Sequence, residues 1–235
     1  MEEEITYSKF PQHIAVNMRG TETWAEKTGA TIEEAYSRRF EKVKEIITAQ
    51  TNLKIPILTL YVLPNEFLSK ENAQFLLDSL SDFLNSLKGA ELIHNKGIKV
   101  SILGKWYDLP GRIVDSIKQI IEETKDYDKF FVNFCVNYDG QDEILDACRL
   151  IARKIKAGKF DPEMIEKETI KEETYSSYFL PPQLIISTGP RTKLKGLLLW
   201  DSSDAIIHFS KKNWPEFTRE DFVESVAYYQ KQSGM

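Results

Sequence analysis

Cysteine is scarce: Cys135 and Cys148 are the only two in 235 residues, thirteen positions apart and without metal-ligand spacing. That excludes a disulfide scaffold and a cysteine zinc site, and both are expected as reduced, buried thiols. The three histidines, His13, His94 and His208, are equally isolated, with no second histidine or cysteine at ligand spacing. His13 is expected to be a hydrogen-bonded structural residue, His94 to lie at the surface on a helix end, and His208 to lie in the core. There is no basic block. With 31 basic against 36 acidic residues the net charge is −5, which argues against nucleic acid as a ligand while leaving local clusters free to hold a phosphate. No apolar run approaches the roughly 20 residues of a membrane span. The N-terminal MEEEITYSK does not read as a signal peptide, so a cytoplasmic location is expected. Internal repeats and low-complexity linkers are missing too. At 42% hydrophobic, the chain is long enough for one substantial core, and a single domain over residues 1–235 is expected.

What is present is an alternation of strand-like and helix-like segments. Strand-like runs occupy Ile14 to Val16, Ile55 to Leu63, Ile98 to Leu103, Phe130 to Val136 and Leu184 to Ile186, and two further apolar runs follow at Leu197 to Trp200 and Ile206 to Phe209. Helical spacing covers residues 31–52 with Thr31 as N-cap, 69–95 with Ser69 as cap, 110–124, 141–156 and 219–232. Residues 159–176 read as a surface excursion. This order predicts an α/β fold: a mostly parallel central sheet with helices on both faces. The loops at 18–23, 64–68, 137–141 and 187–196 then gather at the carboxyl ends of the strands, where ligands of such sheets bind. In the helix at 69–95, the apolar stripe Phe75, Leu80, Phe83, Leu84, Leu87 fits either a core face or one wall of an elongated apolar cavity, and periodicity does not separate the two.

The first loop is the focus. His13-Ile14-Ala15-Val16 runs through Met18-Arg19-Gly20-Thr21-Glu22-Thr23 into Trp24 and a helix. A strand, a glycine-containing turn and a helix N-terminus together present backbone N–H groups to an anion.

His13-Ile14-Ala15 with Met18, Gly20, Trp24 and Ala25 resembles the HIAxxMDGNGRWA opening of the cis-prenyltransferases, the undecaprenyl diphosphate synthase family. Leu58-Thr59-Leu60-Tyr61 with Glu66 resembles the family's LTLYAFSTENW segment, and residues Asn137 to Ile144 resemble NYGGRDEI. Thr188-Gly189, Leu198-Leu199-Trp200, Phe209 and Trp214-Pro215-Glu216-Phe217 resemble RTGGExRxSNFLLWQ and the WPDF after it. The resemblance implies a protein of polyprenyl diphosphate synthesis, with a hydrophobic tunnel lined by the stripe of Phe75, Leu80, Phe83, Leu84 and Leu87, and a dimer. It also implies an isoprenyl diphosphate ligand at Arg19, Gly20, Trp24, Glu66, Arg191, Lys193 and Lys195, and contact with a membrane surface through a lipid product. Asn137 falls in the family's active-site loop and fits a substrate phosphate or a turn-stabilising amide equally well.

The same resemblance exposes departures. The family's metal-holding aspartate matches Arg19, and its second metal carboxylate falls by count at Ile206. Neither side chain ligates magnesium. The arginines of GRW and RTGG become Thr23 and Ser187, and the glutamate after RTGG becomes Arg191. Three readings remain open. In the first, the chain is a catalytically degenerate subunit that needs no cofactor of its own and pairs with an active synthase carrying the magnesium. Accessory subunits of that type give a C-terminal RxG tail to the partner's site; here Gln232 and Gly234 match its arginine and glycine. In the second, Arg19, Arg191, Lys193 and Lys195 replace the metal as a cationic clamp in a metal-independent transferase, with Asp201 and Asp204 as new carboxylates that either recruit a metal or form a polar turn. In the third, the chain is a prenyl-chain binding module.

Overall fold

Apolar runs too short for helices become the strands of one sheet. In the computed structural model, which describes residues 10–234, these are β1 (His13–Asn17), β2 (Ile57–Pro64), β3 (Ile98–Leu103), β4 (Phe130–Tyr138), β5 (Leu184–Ser187) and β6 (Ile206–Phe209). Their order is β3-β4-β2-β1-β5-β6, every pair parallel. Between and after them stand α1 (Thr21–Thr28), α2 (Ile32–Asn52), α3 (Ala73–Leu87), α4 (Glu91–His94), α5 (Gly111–Thr124), α6 (Gly140–Lys156), α7 (Lys167–Glu172) and α8 (Arg219–Ser233). The N-terminal MEEEITYSK segment lies outside the described residues.

Side chains alternate between the two faces of each strand. Ile14, Val16, Leu58, Leu60, Val132 and Phe134 enter the larger core cluster, closed by α2, α3, α5 and α8. Ala15, Tyr61, Cys135 and Ile185 enter a thinner one, closed by Phe179, Leu197 and Leu198 from the chain beyond α7.

Several expectations hold in detail. Thr31 caps α2 in a reciprocal capping box with Glu34. His13 is buried between the Leu180 carbonyl, 2.5 Å from Nδ1, and the Thr59 hydroxyl, 2.8 Å from Nε2.

Others need correction. The long helix expected over 69–95 is broken: Ser69 ends a 3-10 turn (Asn65–Ser69), and Gly89, at φ +64°, separates α3 from the four-residue α4. Phe75 does not belong to the apolar stripe and is 37% exposed. Leu80, Phe83, Leu84 and Leu87 are buried in the larger cluster, where Phe83 stacks on Phe40 at 4.8 Å and meets Phe134 edge-on at 5.5 Å. Core side chains thus pack against this face in this conformation. Cys148 lies on the outer face of α6 and is exposed, whereas Cys135 is buried. His94 is half-buried, bonded to the Tyr127 hydroxyl at 2.7 Å. His208, expected in the core, is instead half-buried at the sheet edge, bonded to Ser225 and stacked on Tyr228. The excursion at 159–176 is anchored at its end: Ser176 is buried, its N–H donating to Glu143 and its hydroxyl to Asp201.

Candidate functional site

At the carboxyl end of β1 the chain must leave the sheet and enter α1 within three residues. Gly20 makes this possible with φ +94°, and it packs so closely on Asn213 that a β-carbon there would collide with the Asn213 amide oxygen. The turn is locked from two sides. The Arg19 N–H donates to the Thr188 hydroxyl at 2.9 Å, and the Arg19 carbonyl accepts from Trp214 N–H at 2.9 Å. Gly20 occupies the N-cap of α1 and offers no capping side chain, so the first-turn N–H groups remain available to a ligand.

These groups open onto a cleft of about 700 Å³ formed by the loops after β1, β2, β4 and β5. Five cationic side chains line it, Arg19, Arg39, Lys70, Arg191 and Lys195, against three carboxylates, Glu22, Glu66 and Asp139. Each carboxylate is already engaged. Glu22 accepts from Tyr36 and Lys70 at 3.3 Å each, Glu66 pairs with Lys195 at 3.1 Å, and Asp139 caps α6 by accepting from the N–H groups of Gln141 and Asp142. Phe67, Leu199 and Pro190 add apolar wall.

Arg19 crosses to the loop after β5. Its Nη1 donates to the carbonyls of Arg191 at 2.9 Å and Lys193 at 3.1 Å. Burial and the neighbouring Arg191 guanidinium pull its pKa below the usual arginine value, with Glu66 opposing. That loop is braced further by Asn17, which donates to the Leu194 carbonyl, and by Ser187, which donates to the Lys193 carbonyl.

The structure therefore brings Arg19, Gly20, Glu66, Arg191 and Lys195 to one cleft, as the sequence suggested. Lys193 contributes its backbone carbonyl rather than its charge. Trp24 points to Arg38, whose guanidinium lies 5.9 Å over its ring. Asn137 lies within β4, one residue before its end, buried and at φ +48°, and its side chain donates to the Lys105 carbonyl. Gln232 and Gly234 sit at the far end of α8, fifteen residues, or about 22 Å of helix, from its cap at Thr218. Asp201 is buried against Lys171 at 2.6 Å and Ser176 at 2.7 Å; with exposed Asp204 it borders a separate hollow of about 280 Å³, not the cleft. Two residues were missed. Arg39 and Lys70 both line the cleft, and Arg39 was legible as a charge on the apolar side of α2, between Tyr36 and Val43.

Magnesium, which the family resemblance implies, is commonly held by one or two carboxylates together with substrate phosphates, and the carboxylates lining this cleft, Glu22, Glu66 and Asp139, are each already engaged. At the two positions matched to the family's metal carboxylates stand Arg19 and Ile206, the latter paired with Leu184 in the β5–β6 ladder.

A family model described as putative undecaprenyl diphosphate synthase matches residues 18–234. The chain is 34% identical to a geranylgeranyl-diphosphate-specific tritrans,polycis-undecaprenyl-diphosphate synthase of Methanocaldococcus jannaschii, over 98% of this chain and 84% of that one. It is 32% identical to an isoprenyl transferase of Thermotoga maritima, over 95% of each. Among solved structures, lavandulyl diphosphate synthase of Lavandula x intermedia, in complex with dimethylallyl diphosphate, superposes with a TM-score of 0.91 at 25% identity over 95% of this chain and 96% of that one. A probable undecaprenyl diphosphate synthase of Campylobacter jejuni shares the fold, at a TM-score of 0.75 and 20% identity over 94% and 95% of the two chains. With a family match over nearly its whole length and curated relatives above 30% identity, this chain belongs to the cis-prenyltransferase family.

Proposed function

We propose that this chain binds an isoprenyl diphosphate in the cleft without a divalent cation and serves as the catalytically silent subunit of a polyprenyl diphosphate synthase. Its partner in this reading is an active family member that carries the aspartate and the magnesium. The observation that carries the reading is Arg19: at the place of the family's metal-holding acid stands a guanidinium tied to the carbonyls of Arg191 and Lys193. The open N-terminus of α1 and the surplus of cations around it support retained diphosphate binding. The geranylgeranyl-diphosphate-specific relatives support a long allylic diphosphate as the ligand. Exposed apolar side chains on α6 and the segment after it, Leu145, Leu150, Met164, Ile165, Tyr178 and Leu180, support a surface for a second subunit.

A second reading, a metal-independent transferase, is favoured by the same cations, because diphosphate departure needs charge stabilisation more than it needs a metal as such. One assay separates the two. The purified chain is incubated with isopentenyl diphosphate and geranylgeranyl diphosphate, with magnesium, with EDTA, and with an active family member. The silent subunit gives no elongated product alone under either condition and raises the partner's turnover. Product made alone in EDTA establishes the transferase; product made alone only with magnesium overturns both readings.

A further inference from the structure

Arg39 lies beneath the floor of the cleft. Its Nη1 donates to the Met18 carbonyl at 2.7 Å and the Thr21 hydroxyl at 3.1 Å, and its Nη2 to the carbonyls of Tyr61 and Val62 at 3.2 and 2.8 Å. Its Nε is buried without a partner. Every acceptor is neutral, and no ion pair among the described residues includes Arg39. Glu22, the carboxylate whose field reaches it, is engaged by Lys70 and Tyr36. Burial drags its pKa down to about 10, so it remains a cation at neutral pH. A buried charge without a counter-ion costs several kcal/mol, a cost a fold avoids unless something binds against the charge.

The placement says what would bind. The guanidinium holds Met18 and Thr21, the residues on either side of the Arg19-Gly20 turn, and so adds a full positive charge directly behind the N-terminus of α1. We infer that Arg39 is the built-in counter-charge of this cleft, a fixed cation that takes over the electrostatic part of a divalent ion and lets a diphosphate bind in its absence. The inference rests on the reading of the cleft as a diphosphate site, and it assigns Arg39 a positioning and charge role rather than contact with the ligand.

The probe is inorganic pyrophosphate, titrated calorimetrically into the whole chain in EDTA. Wild type binds, and added magnesium leaves the affinity of the protein site unimproved. R39Q, checked for native circular dichroism, weakens binding roughly tenfold or more, the scale of one unscreened charge at close range. R39K retains a charge but loses the fork, so it lowers Tm while holding affinity within a few-fold of wild type at pH 7. Between pH 7 and 9.5 the buried lysine gives up its proton, and R39K then loses affinity where wild type does not. Tyr36 and Glu22 face that position, and burial together with Glu22 shifts the Tyr36 hydroxyl far above this window. Wild-type affinity in R39Q, or a flat R39K profile, overturns the role of Arg39. Failure of wild type to bind pyrophosphate in EDTA overturns the reading of the cleft instead.

Discussion

His13 is held neutral by its surroundings: burial lowers its pKa from 6.5 to about 4, against the partial support of the Leu180 carbonyl. In the unfolded chain it titrates near 6.5, so between pH 6.5 and 4 the unfolded state binds the extra proton. Stability is therefore full above pH 6.5 and falls with acidification, by about 3 kcal/mol at pH 4 from this residue alone. Urea unfolding of wild type and His13→Gln across pH 7.5 to 4.5 measures it, and the variant is expected to lose most of that slope. Gly20 gives a second prediction at this scale. With φ at +94° and Asn213 against its α-carbon, Gly20→Ala meets backbone strain of about 1–2 kcal/mol plus a collision, and it shifts the turn that aims the α1 N–H groups. A lower Tm together with weakened pyrophosphate binding is expected; unchanged binding would separate the turn from the site. Individual residues were unevenly legible in the sequence. Arg19 was conspicuous as a base in place of an acid, yet its carbonyl partners at 191 and 193 were not, since backbone acceptors carry no sequence signal.

Elements were legible where one period ran unbroken. Parallel strands of the sheet read as continuous apolar runs, and the five expected strands formed with ends displaced by a residue or two; of the two later apolar runs, Ile206–Phe209 became the partly buried β6 while residues 197–200 form turns. The failure at residues 69–95 has a physical source. Ser69 satisfies its hydroxyl within a 3-10 turn by donating to the Glu66 carbonyl, and the glycine at 89 turns the chain, while leucines on both sides sustain an apparently continuous helical repeat. Periodicity also could not say whether the α3 stripe faced a core or a cavity; only the rings of Phe40 and Phe134 against Phe83 decide it for this conformation. If α3 is core, Leu84→Ala removes a fully buried side chain and costs about 3 kcal/mol in chemical denaturation, while pyrophosphate affinity stays at the wild-type value because α3 contributes nothing to the cleft lining. A Leu84→Ala protein of unaltered stability but increased affinity for prenyl chains would show instead that this face opens.

At the scale of the whole molecule, a chain of net charge −5 concentrates five cations around one cleft at the carboxyl edge of its sheet. A low-dielectric concavity lined in this way focuses its field outward and draws in an anion that the rest of the surface repels. Binding to the folded state alone raises stability by mass action, about 2.7 kcal/mol at a ligand concentration one hundred times Kd. For a domain of this size that corresponds to a Tm increase of about 5–10 °C. Thermal denaturation with inorganic pyrophosphate is therefore expected to show that increase in EDTA as fully as in magnesium, since the charge opposing the ligand is covalently part of the protein. Raising salt to about 1 M, where the screening length falls to about 3 Å, should reduce the increase by weakening the exposed contributions of Arg191, Lys195 and Lys70. A residual shift at high salt is then the share carried by Arg39, which solvent ions do not reach. A shift that appears only when magnesium is present would mean that the metal arrives with the ligand, and that the guanidiniums of this cleft do not replace it.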